Sequence, residues 1–403
     1  MPNNLELLSP AGSLDKLKFA FEYGADAVYI GAHEFSLRKA AENVNFEELR
    51  EGVRIAHSIN KRVYAATNIV AKNNMMRTFP DFLKKLGECE VDAVIVADIG
   101  VFSAVRELAP KLEVHISTQA NAINYESCTF FHKLGAKRIV LARELLIEDI
   151  REIREKTPKS LELEAFVHGA MCISYSGRCL MSDYMTGRPS NSGECAQSCR
   201  WKYSLMEEKR PNEYFPVYEN DEGTYLYNSK DLCLIEHIKE LHEAGISSLK
   251  IEGRVKTEFY VATITNAYAG AVRDYKNGKP FNEKWLQECL KVSHRDYFTG
   301  FLLGEGKGQI YSHNSYIRNC ELTGIITDYD TENKRVYFKL KNSINIGDKL
   351  EILQPSTDYI ELNANKIYDE YGVSVQRANR PMSVYSVPCP VSVIKHGIIR
   401  KGV

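Results

Sequence analysis

The chain has 403 residues, 44% of them hydrophobic, and a formal net charge of -1. That length favours two domains, that composition excludes an intrinsically disordered chain, and the near-zero charge excludes a globally basic nucleic-acid binder, so any basic surface must be local. The first residues, Met1-Pro2-Asn3-Asn4, form no basic and apolar leader, and no apolar run approaches the roughly 18 residues of a membrane span, so a cytoplasmic protein without membrane contact is expected, with its ten cysteines kept reduced.

In chain order, one phrase recurs: a helix closes on Gly or an equivalent, a short polar step follows, and a β-branched run begins. Tyr23-Gly24-Ala25-Asp26 leads into 27–31, Val91-Asp92 into 93–98, Leu134-Gly135-Ala136-Lys137 into 138–143, and Ala244-Gly245-Ile246-Ser247 into 248–252. The Gly supplies the left-handed residue that ends a helix. A short run apolar on both faces is a buried parallel strand. Runs at 5–8, 62–67, 114–118 and 161–167 complete the set, with amphipathic helices such as 13–22, 46–59 and 147–156 between them. About eight strands alternating with helices predict an α/β fold, a (β/α)8 TIM-like barrel. An open doubly wound sheet is the alternative, disfavoured because no G-x-G-x-x-G follows the first strand.

A closed barrel carries its active site at the C-terminal strand ends. Those read Ser9-Pro10-Ala11-Gly12, Gly31-Ala32-His33, Asn68, Asp98, Ser117 to Asn121, Arg143-Glu144, His168-Gly169 and Glu252-Gly253-Arg254. Ser13 and Asp98 are as readily helix caps. Between about 170 and 230 the alternation breaks into an irregular stretch with four cysteines, which would emerge on the catalytic face after the seventh strand. Beyond it, 256–276 and 283–292 read as helices. Short β runs follow at 322–327, 335–340, 349–353 and 382–387, with Ile346-Gly347-Asp348-Lys349 as a turn. The expected organisation is a barrel domain over 1–315 with a cysteine-rich insertion, then a small all-β barrel domain over 316–403.

Cys172, Cys179, Cys195 and Cys199 are spaced C-x6-C-x15-C-x3-C, and Cys233 follows in Ser229-Lys230-Asp231-Leu232-Cys233. Cys89, Cys128, Cys289, Cys320 and Cys389 are isolated and read as small buried hydrophobes. A reducing compartment disfavours disulfides. Structural zinc usually takes tight C-x2-C pairs, which are absent, whereas widely spaced loop thiolates suit an iron–sulfur centre such as 4Fe–4S. By spacing alone, zinc and inert thiols stay open.

Glu164-Ala165-Phe166-Val167-His168-Gly169-Ala170-Met171-Cys172 and Ser176-Gly177-Arg178-Cys179-Leu180-Met181-Ser182 resemble the signature of the collagenase-like peptidase family, the thirty-second of unknown catalytic type. Gly193-Glu194-Cys195, Cys199-Arg200-Trp201, Ser229 to Leu232, Lys250-Ile251-Glu252-Gly253-Arg254 and Ser117 to Asn121 look like further family blocks, so the resemblance spans nearly the whole chain. The family carries a protease label, yet its better understood members hydroxylate an aromatic ring in RNA or in a quinone. In length and domain order the chain is most similar to the branch that 5-hydroxylates the wobble uridine of tRNA with prephenate. The resemblance therefore implies a tRNA uridine hydroxylase with a 4Fe–4S cluster on Cys172, Cys179, Cys195 and Cys233, and Cys199 as the substitute if Cys233 points away. It implies prephenate as co-substrate and the tRNA anticodon loop as partner, and leaves open a paralogous subunit. The alternatives are a collagenase-like peptidase and a cluster-bearing RNA-binding or assembly factor without catalysis. The sequence holds neither H-E-x-x-H nor G-x-S-x-G, and a Cys172–His168 dyad conflicts with Cys172 as a metal ligand.

Prephenate has two carboxylates, for which arginine is the usual partner. Arg143 and Arg254 at strand ends are the candidates, with ion pairs to Glu144 and Glu252 as their structural alternatives. His168 and Glu164 are the acid/base candidates. His168 could instead orient the cluster loop, and Glu164 could be a hydrogen-bond acceptor inside the barrel. Tyr175, with Tyr184 and Trp201, could stack on a base, and Arg178, with Arg188, Arg200 and Lys202, could meet phosphates.

Overall fold

All eight apolar runs become strands, and the strands close into a ring. The computed structural model describes residues 5–36, 43–172, 176, 179, 181–188, 190, 193–201, 204–205, 215–216, 230–304, 316–355 and 359–403. In it β1 (Glu6–Ala11), β2 (Ala27–Ile30), β3 (Arg62–Thr67), β4 (Ala93–Val96), β5 (Glu113–Ile116), β6 (Arg138–Val140), β7 (Glu162–Ala170) and β8 (Ser248–Ile251) pair in parallel, and β8 closes the barrel against both β7 and β1. The first six strands lead into α1 (Leu14–Glu22), α2 (Phe46–Ser58), α3 (Phe79–Glu88), α4 (Ile99–Leu108), α5 (Tyr125–Lys133) and α6 (Ile147–Lys156), and α7 (Ile238–Glu243) precedes β8.

Local chemistry accounts for where these helices begin and end. Asn45, Asp98 and Asn124 accept hydrogen bonds from the amides of Glu48, Val101 and Ser127 at 2.9, 3.0 and 2.8 Å, capping α2, α4 and α5. Asp98, polar at a strand end, is thus a cap. Gly24, Gly135 and Gly245 take φ of 104°, 100° and 101°, the conformation that the repeated phrase requires. At the step that lacks Gly, Glu90 adopts φ 57°, a strain of about 1–2 kcal/mol for a residue with a side chain.

The chain divides into two compact units. One comprises Met1–Leu17, Asp26–Val255 and Arg295–Tyr316 and holds the barrel. In its insertion, Met181–Thr186 is helical, Ser198–Arg200 is a 3-10 turn, and the short strand Asp231–Cys233 pairs antiparallel with the end of β7.

The other unit comprises Lys18–Ala25, Lys256–His294 and Ile317–Val403, with the long helix α8 (Glu258–Lys276) and an eight-stranded antiparallel sheet. Its main strands are β9 (Cys320–Asp330), β10 (Arg335–Leu340), β11 (Lys349–Leu353), β12 (Val384–Pro388) and β13 (Ile398–Gly402). Among the described residues no pairing joins its outer strands, Ile360–Asn363 and Ser374–Val375, so the sheet is a half-barrel. Alternation along β10 sends Val336, Phe338 and Leu340 into a core with Ile326, Ile352, Val387 and Ile399. Arg400, next to Ile399 along β13, is also fully buried, and its charge is met by Glu288 at 2.8 Å and Glu351 at 2.9 Å. No helix among the described residues is long and apolar enough to cross a membrane.

Candidate active site at the barrel mouth

The site rests on a layer of buried charge inside the barrel. Arg138 on β6 reaches Glu164 on β7 at 2.9 Å, Glu6 on β1 at 2.6 Å and Glu162 at 2.7 Å. Lys250 on β8 meets the other oxygen of Glu164 at 2.8 Å, and the Ser248 hydroxyl lies 3.2 Å from the first. Burial pushes the fully enclosed Glu164 upward in pKa, but the charges of Lys250 and Arg138 override it and hold the carboxyl at about 2. Of its two expected positions, Glu164 thus occupies the interior one, ionised and with both oxygens engaged.

Acid sensitivity follows. The folded-state pKa of Glu164 lies below its ordinary 4.5. Its contribution to stability is therefore complete above the ordinary value and is lost as pH falls towards the folded one. Thermal midpoints should hold from neutrality to about pH 5 and fall steeply from about pH 4 to pH 3; a midpoint at pH 3 equal to that at pH 7 would contradict this.

Above that layer a cavity opens at the C-terminal strand ends. The barrel lines it with Tyr29, Asn68, Ser117, Thr118, Gln119, Arg143, Phe166, Lys250, Glu252 and Arg254. Three cations face two aromatic rings. Lys250 lies 4.5 Å from the centre of Tyr29 and 5.4 Å from that of Phe166, Arg143 lies 5.5 Å from Phe166, and Arg254 lies 5.7 Å from Tyr29. Lys250, Tyr29 and Phe166 escaped sequence reasoning. A lysine within an otherwise apolar strand, Ser248-Leu249-Lys250-Ile251, was the available signal for the first.

Arg143 makes no ion pair among the described residues. It donates to the Ala170 carbonyl at 3.1 Å, while Glu144, the partner of its structural alternative, accepts from Ser176. Arg254 is buried and donates to the Ser36 hydroxyl at 2.6 Å. Gly31 makes room for it, since a Cβ there would stand 2.7 Å from the Arg254 guanidinium and 2.6 Å from the Ser36 oxygen. Gly31→Ala should displace Arg254 and destabilise the fold, because the buried groups around it must shift to admit the methyl group. Urea denaturation of variant and wild type checks this, and an unchanged midpoint would refute it.

The insertion contributes four thiols to the same cavity, those of Cys172, Cys179, Cys195 and Cys199. None is in a disulfide. The Gln197 amide donates to the Cys195 sulfur at 3.4 Å, Ser190 donates to the Cys179 carbonyl at 2.8 Å, and Ser182 accepts from the Ala196 amide at 2.9 Å. A soft all-sulfur donor set with an amide directed at one sulfur fits an iron–sulfur cluster.

Cys233 does not line the cavity. It is buried on Asp231–Cys233, directly opposite His168. A bulge explains both positions. Phe166 pairs with Lys250, but the next pair is His168 with Ile251, so Val167 is an extra residue and His168 turns away from the barrel axis with Ile251. The His168 Nε2 lies 3.3 Å from the Tyr297 hydroxyl, outside the cavity lining. Tyr175, Arg178 and Lys202 lie outside the described residues, as do the side chains of Tyr184 and Arg200. Trp201 and Arg188 are exposed and do not line the cavity.

Of the isolated cysteines, Cys89, Cys128, Cys289 and Cys389 are buried as expected, and Cys320 is half-buried. Burial pushes the Cys128 thiol up to about 12. Brief alkylation of the native, metal-free chain should label Cys172, Cys179, Cys195 and Cys199 and spare Cys128. Labelling of Cys128 at a comparable rate, read by peptide mass spectrometry, would contradict the assignment.

Residues 12–311 match the model of peptidase family U32, and residues 318–400 match that of the peptidase family U32 C-terminal domain. The chain is 38% identical over 402 residues to the tRNA hydroxylation protein P1 of Bacillus subtilis (strain 168), across 98% of this chain and 94% of that protein. It is 41% identical over 371 residues to an uncharacterized protease of Methanocaldococcus jannaschii, across 89% of this chain and 88% of that protein. It is 28% identical over 403 residues to a collagenase of Porphyromonas gingivalis, across 96% of this chain and 95% of that protein.

Proposed function

The chain belongs to peptidase family U32, and from that membership and the thiol-walled cavity we propose that it hydroxylates tRNA, at C5 of the wobble uridine, with prephenate as co-substrate and a 4Fe–4S cluster as its inorganic centre. One observation carries the reading: four thiols, three cations and two aromatic rings face a single cavity at the barrel mouth. The similarity to a tRNA hydroxylation protein across 98% of the chain supports the substrate. The sulfur donor set supports the cluster, and the two arginines support a dicarboxylate.

Cys172, Cys179 and Cys195 would hold the cluster with a fourth thiolate. The cavity itself supplies Cys199, and the family resemblance supplies Cys233. A bound cluster provides iron as a redox or Lewis-acid centre. The chain's own residues do the rest. Arg143, without a carboxylate partner among the described residues, takes a substrate carboxylate in a forked contact, and Arg254 takes the second. Tyr29 and Phe166 flank the space with Lys250 between them, where a flat ring can stack over cationic charge. An anticodon-loop base is single-stranded, so drawing it in costs little unstacking. His168, turned off the axis and paired with Cys233, positions the strand that enters the insertion and does not handle substrate protons.

No histidine among the described residues lines the cavity, which leaves a cysteine peptidase dyad without its base. Nucleoside analysis of tRNA from a deletion strain tests the proposal. Loss of 5-hydroxyuridine derivatives, restored by the wild-type chain, is expected. Unchanged tRNA together with gelatin cleavage by the pure protein would overturn it in favour of a peptidase, and unchanged tRNA with RNA binding retained would leave an assembly factor.

A further inference from the structure

Glu144 stands beside Arg143 at the end of β6, and its carboxylate faces the insertion. One oxygen accepts from the Ser176 amide at 2.9 Å, and the Ser176 hydroxyl lies 3.1 and 2.9 Å from the two oxygens. Ser176 lies between Cys172 and Cys179 and is buried. Arg143 grips the Ala170 carbonyl at 3.1 Å, two residues before Cys172. The dipeptide Arg143-Glu144 thus brackets Cys172 from both sides, on a turn fixed to the rigid barrel.

We propose that Glu144 is the positioning residue of the thiol-bearing turn: its carboxylate tethers Ser176 to the barrel and so sets the place of Cys172 and Cys179 as ligands. A carboxylate at this strand end accepts from a backbone amide and a hydroxyl together, and the ionised acceptor makes both bonds stronger than neutral ones. Without the tether, the Ser176 hydroxyl would keep, among the described residues, the longer contact with the Thr118 hydroxyl, at 3.5 Å. This inference rests on the cluster reading for its consequence, but not for the tether itself.

The test uses the full chain as wild type, Glu144→Ala, Glu144→Gln and Ser176→Ala. In metal-free protein, the alkylation rate of Cys179 relative to that in the wild-type chain reports the tether. Glu144→Ala should raise it about tenfold, the loss of one charge-assisted hydrogen bond, and Glu144→Gln, which keeps an acceptor oxygen but loses the charge, should fall between that variant and wild type. In protein purified without oxygen, visible absorption should bleach in air about tenfold faster for Glu144→Ala than for wild type. Wild-type alkylation in a folded Glu144→Ala chain overturns the tether. Should that variant fail to fold, Ser176→Ala carries the same expectation with a smaller effect, and an unchanged rate there overturns it equally. An iron-free wild type sinks the cluster reading alone, because the alkylation ratio still decides the tether.

Discussion

Replacing Cys172, Cys179 or Cys195 with serine is expected to reduce bound iron to background and to abolish 5-hydroxyuridine in the tRNA of a complemented deletion strain. A hydroxyl is a poor ligand for iron in a sulfur-bridged cluster, and the remaining three thiolates would leave one iron open to solvent and oxidation. One of Cys199→Ser and Cys233→Ser should behave the same way, and the other should keep its iron. Substituting Cys89, Cys128 or Cys389 should spare iron, because these thiols are buried away from the cavity. Full iron content in all five variants at positions 172, 179, 195, 199 and 233 would end the cluster proposal.

Glu164→Gln should have the largest effect on the fold itself. Its carboxylate answers two buried cations, Lys250 at 2.8 Å and Arg138 at 2.9 Å. Arg138 keeps Glu6 and Glu162, but Lys250 makes no second ion pair among the described residues and would be left charged in the barrel interior. Removing one partner of a buried pair costs about 3–5 kcal/mol, and deleting both charges together costs much less. Urea denaturation of Glu164→Gln and of Glu164→Gln/Lys250→Met separates the two. The double variant should regain more than half of the loss. A single-variant cost below about 1 kcal/mol would mean that the cluster of charges is solvated and not structural.

The barrel was legible because its strands are buried on both faces and therefore read as continuous apolar runs; 62–67 falls on the observed strand to the residue. In the other unit 335–340 does so as well, with alternate side chains in the core. The helix ends were legible from Gly24, Gly135 and Gly245. The interior charges were not. A strand position says which way a side chain points, but not that Arg138, Glu164 and Lys250 from three strands meet. His168 shows a different limit. Counting by twos from Phe166 puts it at the mouth, and a single extra residue at Val167 reverses that. The thiols show a third, since C-x6-C-x15-C-x3-C fixes neither which sulfurs share a cavity nor that Cys199 joins them while Cys233 lies opposite His168. Glu144 escaped for a related reason. Beside Arg143 it looked like half of an ion pair, and its true partner, Ser176, is 32 residues away along the chain.

The most direct measurement is chemical. Protein purified and handled without oxygen should be brown, absorb broadly near 400 nm, and carry about four iron and four sulfide ions per chain, the content of one 4Fe–4S centre. A colourless preparation without iron or sulfide, from cells grown with ample iron, would contradict the account at its root.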